Sequence, residues 1–177
     1  MKNWTRKEFL KTSVVGGGAA LIAGQTRLYG QAAPAAGSAN GDIRIAVVGI
    51  NSQGAGHIKT YYDMKGTRLV ALCDVDSNVL AKLVQETEAK GIKVTAYADY
   101  RKLLEDKNID AVVLASPNHQ HSLQTNWGLQ AGKDVLCEKP LTDNLRSAEA
   151  LTTLADTTRR ILMVGHVFLY HAGIHAL

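Results

Sequence analysis

The sequence predicts a doubly wound parallel α/β sheet, and three observations carry that prediction. Apolar runs rich in Ile and Val recur as IRIAVVGI (43–50), LVALCDV (69–75) and DAVVLAS (110–116). Continuous runs of this kind mark strands buried on both faces. Helically spaced segments separate them, and strands alternating with helices imply a parallel sheet covered on both sides. The 177 residues then suit about one domain.

Taken in order, about six strands are expected, beginning near 43, 69, 94, 111, 134 and 161. Between the second and third, Val79, Leu80, Leu83 and Val84 repeat at helical spacing over 78–91 before Gly91 ends the helix. NHQHSLQTNWGLQAG (118–132) reads as a helix closed by Gly132, with Trp127 in the core. KDVLCEKP (133–140) is a strand, 144–158 a helix and ILMVG (161–165) the last strand. In the order 3-2-1-4-5-6, Cys73 and Cys137 end strands three spacings apart, roughly 14 Å, too far for a disulfide. Both are expected to be buried thiols.

Charge is unevenly placed. Residues 1–35 hold five basic side chains against Glu8 alone, whereas the remaining 142 residues hold 15 of each sign. The net +4 therefore belongs to the N-terminus, and the rest of the chain, net zero, gives nucleic-acid binding no support. Thr12–Thr26 is uncharged for 15 residues, short of the roughly 20 a membrane span needs. A charged start, a short apolar middle and the small-residue run QAAPAAGSAN compose an export signal over 1–35. Thr5–Lys11 (TRKEFLK) resembles the twin-arginine motif through Arg6, Phe9, Leu10 and Lys11, with Lys7 where the second Arg belongs. Sec export is the alternative route, and cleavage after Ala32 or Ala35 would leave an extracytoplasmic, periplasmic protein.

Ligands of a doubly wound sheet lie beyond the carboxyl ends of its strands. After the first strand comes V-G-I-N-S-Q-G-A-G-H (48–57), in which Gly49, Asn51 and Gly54 hold the three glycine places of a dinucleotide fingerprint. These places serve a tight turn, a close backbone approach to pyrophosphate, and helix–strand packing. Asn51 departs from glycine but is a residue type that tolerates left-handed backbone angles. Asp74, twenty residues past Gly54, ends the second strand, where a carboxylate can accept from ribose hydroxyls and repel a 2′-phosphate. With no Arg in VDSN (75–78), NAD is expected over NADP.

The fourth and fifth strands stop at S-P-N-H-Q-H (116–121) and C-E-K-P (137–140). From about 42 to 177 the chain resembles the N-terminal domain of the Gfo/Idh/MocA oxidoreductases, which include glucose–fructose oxidoreductase and inositol 2-dehydrogenase. The glycine turn, CDVD, SPNHQH, AGKDVLCEKPL and MVGH stand in that family's order. The resemblance implies cofactor contacts at Pro117, Asn118, His121 and Glu138, with Lys139 beside the nicotinamide and the hydroxyl being oxidised. It implies hydride exchange with a secondary alcohol of a sugar or cyclitol. It also implies homo-oligomers among full-length relatives and a second α/β domain that is absent from these 177 residues, so a C-terminally truncated member is expected. The cofactor domain then spans 42–168, and 169–177 begins the crossing to the substrate domain.

Chemistry agrees with that mapping. Removing hydride from carbon requires removing a proton from oxygen, and a Lys ammonium can bond or relay that proton when buried beside a positive neighbour. Glu138 and Lys139, adjacent in extended chain, are expected to face opposite ways. His119/His121 and His171/His175 fit no zinc pattern, since Ala172 stands where a zinc protease has its Glu, so no metal is expected. His166, at the end of the sixth strand, either lines the substrate side or faces solvent. Two other readings remain: a stand-alone nucleotide-binding module, and an inactive fragment.

Overall fold

The computed structural model describes residues 41–170, within the unit Pro34–Leu177. The expected export leader, His171 and His175 lie outside the described residues. Six strands form one parallel sheet: β1 (Ile43–Val48), β2 (Thr67–Cys73), β3 (Thr95–Tyr97), β4 (Ala111–Leu114), β5 (Asp134–Cys137) and β6 (Leu162–Val164). Their order is β3-β2-β1-β4-β5-β6, every neighbouring pair being parallel. This is the expected doubly wound fold, with strand starts within two residues of expectation.

Each face of the sheet has its own core. On one, Ile45, Val47, Leu69, Leu72 and Val113 pack with Ile58 of α1 (Gln53–Tyr61) and Leu80 of α2 (Ser77–Glu88). On the other, Ala46, Val48, Ala71, Val112, Leu114 and Val135 pack against three further helices. These are α3 (Tyr100–Glu105), α4 (Asn118–Gln130) and α5 (Leu145–Thr158). Trp127 packs against this second core from α4, as expected.

Helix boundaries follow their caps. Asp76 accepts from the N–H groups of Asn78 and Val79, Asp99 from Arg101, and Asn144 from Ser147, which satisfies first-turn donors of α2, α3 and α5. The second helix stops at Glu88, earlier than the Gly91 end expected, because Lys90 and Gly91 close turns onto Thr87 and Glu88. Gly91 then takes φ +80° past that turn.

The N-terminal ends of the central strands hold a buried polar cluster. Arg44 donates through Nη2 and Nε to the two Asp110 oxygens at 2.6 and 2.8 Å, and through Nη1 to Asn108 at 2.7 Å. The Arg44 backbone N–H adds a bond to Asp110 at 2.8 Å. Lys133 Nζ donates to the carbonyls of Asp106 and Ile109.

Cys73 and Cys137 are both buried and free. Burial, followed by the charges of Asp74 and Asp99, pushes the Cys73 thiol up to about 12; burial pushes Cys137 up to about 11. The thiolate is the reactive form. Native protein at pH 8 should therefore leave both thiols unmodified by an aromatic disulfide reagent, and the urea-unfolded chain should release two equivalents. Rapid modification of the folded chain would contradict this packing.

Candidate functional site

The site is built where the strands end. Gly49 leaves β1 with φ +77°, a left-handed conformation that favours glycine. A Cβ there would stand 2.5 Å from the Ser116 backbone nitrogen, so the turn also lies hard against the end of β4. Gly54, buried in the first turn of α1, lies against the Gly49 carbonyl so closely that a Cβ would collide with it. Among the described non-glycine residues only Arg159 has positive φ, so Asn51 does not use left-handed angles. Gly49, at the place expected to make the tight turn, makes it, and the left-handed tolerance of Asn51 goes unused in its exposed turn.

Asp74 braces this turn from β2. Its Oδ2 accepts from the Ile50 N–H at 2.9 Å and its Oδ1 from the Asp76 N–H at 3.0 Å. Each carboxylate oxygen keeps a further lone pair for a ligand.

On the other side of the turn lies a cleft of about 260 Å³. Gln53, Ser116, Asn118, His121, Glu138 and Lys139 are among its lining residues, so the ends of β1, β4 and β5 converge there. Asn51, Asp74 and Pro117 are not part of that lining. The glycine turn thus separates an acidic end on β2 from the cleft beside β5, three strand spacings or roughly 14 Å away. That span suits an elongated ligand laid across the strand ends.

The polar side chains of the cleft are held by named partners. His121 is 1% exposed, with Nδ1 2.7 Å from the Pro140 carbonyl and Nε2 2.8 Å from the Ser116 carbonyl. Carbonyls only accept, so the ring donates to one as a neutral tautomer and to both when doubly protonated. Its nitrogens tie the two loops together. Ser116 Oγ donates to Gln124 at 2.5 Å. Glu138 is buried and Lys139 exposed, yet both line the same cleft, where opposite orientations were expected. The Lys139–Pro140 peptide bond is cis. The burial expected for Lys139 is not supplied by the described residues. His166 is exposed, and no group of three or more His, Cys, Asp or Glu among the described residues is arranged to hold a metal ion.

His57 was not singled out from the sequence. Its Nε2 lies 2.8 Å from Glu138 Oε1, across 81 residues of chain. Its place four residues into a helix opened by a glycine turn was the available signal, but its partner follows only from topology.

A dinucleotide fits these residues. The glycine cradle leaves no room for a side chain at Gly54, and α1 and α4, whose first turns border the cleft, have no side-chain caps. Uncapped first turns present N–H groups and the positive dipole end to an anion. Gly54→Ala is expected to destabilise the domain by about 1–3 kcal/mol by forcing the turn apart, and to weaken NADH binding at least tenfold, roughly the same energy. Urea melts and an NADH titration check both effects; wild-type affinity would contradict the role of the cradle.

Comparisons with known proteins point the same way. The family model described as an oxidoreductase family with an NAD-binding Rossmann fold, Gfo/Idh/MocA, matches residues 43–166. Inositol 2-dehydrogenase 1 of Saccharopolyspora erythraea is 36% identical over 129 residues, covering 71% of this chain and 37% of that protein. Glycosyl hydrolase family 109 protein 2 of Shewanella sp. strain ANA-3 is 28% identical over 180 residues, covering 93% and 40%. A 3-ketoreductase from Actinomadura kijaniata, solved in complex with NADP and TDP-benzene, superposes with a TM-score of 0.68 at 28% identity, covering 76% and 40%. The chain thus spans about two fifths of the length of these relatives.

Proposed function

The chain belongs to the Gfo/Idh/MocA oxidoreductases and carries their NAD-binding Rossmann domain; from that premise we propose that it is the cofactor half of a two-domain dehydrogenase acting on a secondary alcohol of a sugar or cyclitol. The observation that carries the reading is the convergence of Ser116, Asn118, Glu138 and Lys139 on one cleft beside the glycine turn. When bound, NAD supplies the acceptor for the hydride leaving the alcohol carbon.

The chain's own residues do the rest. Gly49 and Gly54 shape the seat for pyrophosphate at α1, with Asn51 in the turn, and Asp74 accepts from the adenosine ribose. Asp76, two residues on and capping α2, places a second carboxylate there, which favours NAD over a 2′-phosphorylated cofactor. Pro117 and Asn118 open α4 against the cofactor, Glu138 forms part of the cleft wall, and His121 braces the loops on either side. Lys139 Nζ hydrogen-bonds the alcohol oxygen and, as the neutral amine, takes its proton to become the ammonium as the hydride leaves the carbon. A second domain closing over the cleft would supply the exclusion of water that exposed Lys139 lacks here, and full-length forms would assemble as homo-oligomers.

Inositol 2-dehydrogenase in the comparison supports a cyclitol. One observation favours a second reading: the hydrolase-named relative aligns along 93% of this chain, against 71% for the dehydrogenase. The test is the reading frame past Leu177, expressed together with this domain and supplied with NAD. Net NADH formation with a cyclitol or free sugar supports the dehydrogenase. Glycoside cleavage with no net NADH supports the second reading, and binding with neither reaction supports a nucleotide-binding module. Export of the protein is part of the proposal, supported by the charge pattern of residues 1–35 and by Arg6, Phe9, Leu10 and Lys11. A reporter fused behind residues 1–35 should reach the periplasm, and retention in the cytoplasm would contradict it.

A further inference from the structure

Three segments meet at the Glu138 carboxylate, just past the end of β5. Oε1 accepts from His57 Nε2 at 2.8 Å and, at a longer 3.4 Å, from Gln53 Nε2. Oε2 accepts from the backbone N–H of Lys139 at 3.3 Å. Gly165, just past β6, leaves the carboxylate its space, since a Cβ there would stand 3.1 Å from Oε2. The His57 and Glu138 side chains are only 20% and 11% exposed. A carboxylate accepts and does not donate, so His57 carries its hydrogen on Nε2.

Holding α1 in place does not require this pair. Ile58, 2% exposed, already anchors the helix in the core, and a buried polar pair adds little net stability over apolar side chains of the same volume. What the pair adds is direction. One end of it stands in the helix opened by the glycine turn, and the other is bonded to the backbone of Lys139. Resting on the role of Lys139 given above, we infer that His57 and Glu138 are positioning residues: their hydrogen bond locks the Lys139 segment to the first turns of α1, so that a group seated on the glycine turn and the Lys139 ammonium keep one relative geometry.

Lys139 itself reports on this without any cofactor. Its rate of modification by acetic anhydride can be read by peptide mass spectrometry against Lys82, whose side chain is 73% exposed. His57→Ala and Glu138→Gln are each expected to change the Lys139/Lys82 ratio by roughly threefold or more, on the scale of losing one charge-assisted hydrogen bond. The double variant should go no further than the larger single one, and His57→Gln, which keeps a donor, should recover most of the wild-type ratio. An unchanged ratio, or additive single effects, in chains with native circular dichroism overturns the inference. Long-range 1H–15N NMR of the wild-type chain gives a test that needs no variant: His57 must be protonated at Nε2, and a bare Nε2 overturns the pair. A wild-type chain that fails to bind NADH while Lys139 still responds would sink the cofactor reading and support the positioning pair. NADH binding with an unresponsive Lys139 would do the reverse.

Discussion

Lys139→Ala, in the protein carried through to its substrate-binding part, is expected to lower kcat by about 100- to 10,000-fold, the range of a positioned proton-transfer group. NADH affinity should stay within roughly twofold, because in the proposed role the Lys139 Nζ acts on the alcohol and not on the dinucleotide. The structure gives two reasons to locate the effect in chemistry. Lys139 lines the cleft beside Glu138, and its side chain is exposed, so no core packing is lost with it. Stopped-flow fluorescence for NADH binding and steady-state turnover separate the two quantities. Loss of affinity with kcat unchanged would remove Lys139 from proton transfer and make it a cofactor ligand.

Asp110→Ala is expected to destabilise the domain by about 3–5 kcal/mol, because it strands a buried guanidinium and its neighbouring N–H. Arg44 directs three of its bonds to this carboxylate, and the pair is 7% and 8% exposed. Against a total stability of roughly 5–15 kcal/mol for a domain, that loss leaves the variant marginal. Replacing both partners together, as Arg44→Met with Asp110→Leu, should be far milder than the single change, since no charge is then left buried alone. Urea melts at pH 7 measure both. Additive losses would contradict the pairing.

The same carboxyl sets a pH dependence. Burial pushes Asp110 up, but the Arg44 hydrogen bonds outweigh it and hold the group below the usual carboxylate range. An acid depressed in the folded state contributes stability that is complete above its unfolded value, about 3.9. That contribution drains away as pH falls through the lower folded value. Asp110→Asn should flatten this part of the acid limb.

Much of the fold was legible because parallel strands are buried on both faces and advertise themselves as apolar runs. Val47, Leu72 and Val112 are fully buried in the strands those runs marked, and the order 3-2-1-4-5-6 expected of the doubly wound class is the one the sheet has. Arg44 shows the limit. It sits in the run IRIAVV yet is buried, which only its partner 66 residues away makes tolerable. The short helix Tyr100–Glu105 gave no separate signal, since six residues with Tyr100 and Leu103 inward are too few to show a period.

At the site, the glycines could be read locally because backbone geometry determines them, whereas Glu138 and Lys139, expected to face opposite ways, both line the cleft. The Asn51 backbone could not be read locally, since the choice between Gly49 and Asn51 as the left-handed residue depends on how the turn packs on Ser116. His57 was invisible for the same reason as Arg44: its role is defined by Glu138, which the sheet order brings near. His121 was identified, but its two carbonyl partners on separate loops make it a brace within the cleft wall.

Titration of the folded chain with NADH, followed by fluorescence and by calorimetry, tests the central claim most directly. Saturable one-to-one binding is expected at or below about 1 mM, which corresponds to roughly −4 kcal/mol. NADPH should bind more weakly, because the Asp74 and Asp76 carboxylates would repel a 2′-phosphate. A chain with native circular dichroism that shows no saturable binding at millimolar NADH would contradict the assignment of this domain as the NAD-binding half of an oxidoreductase.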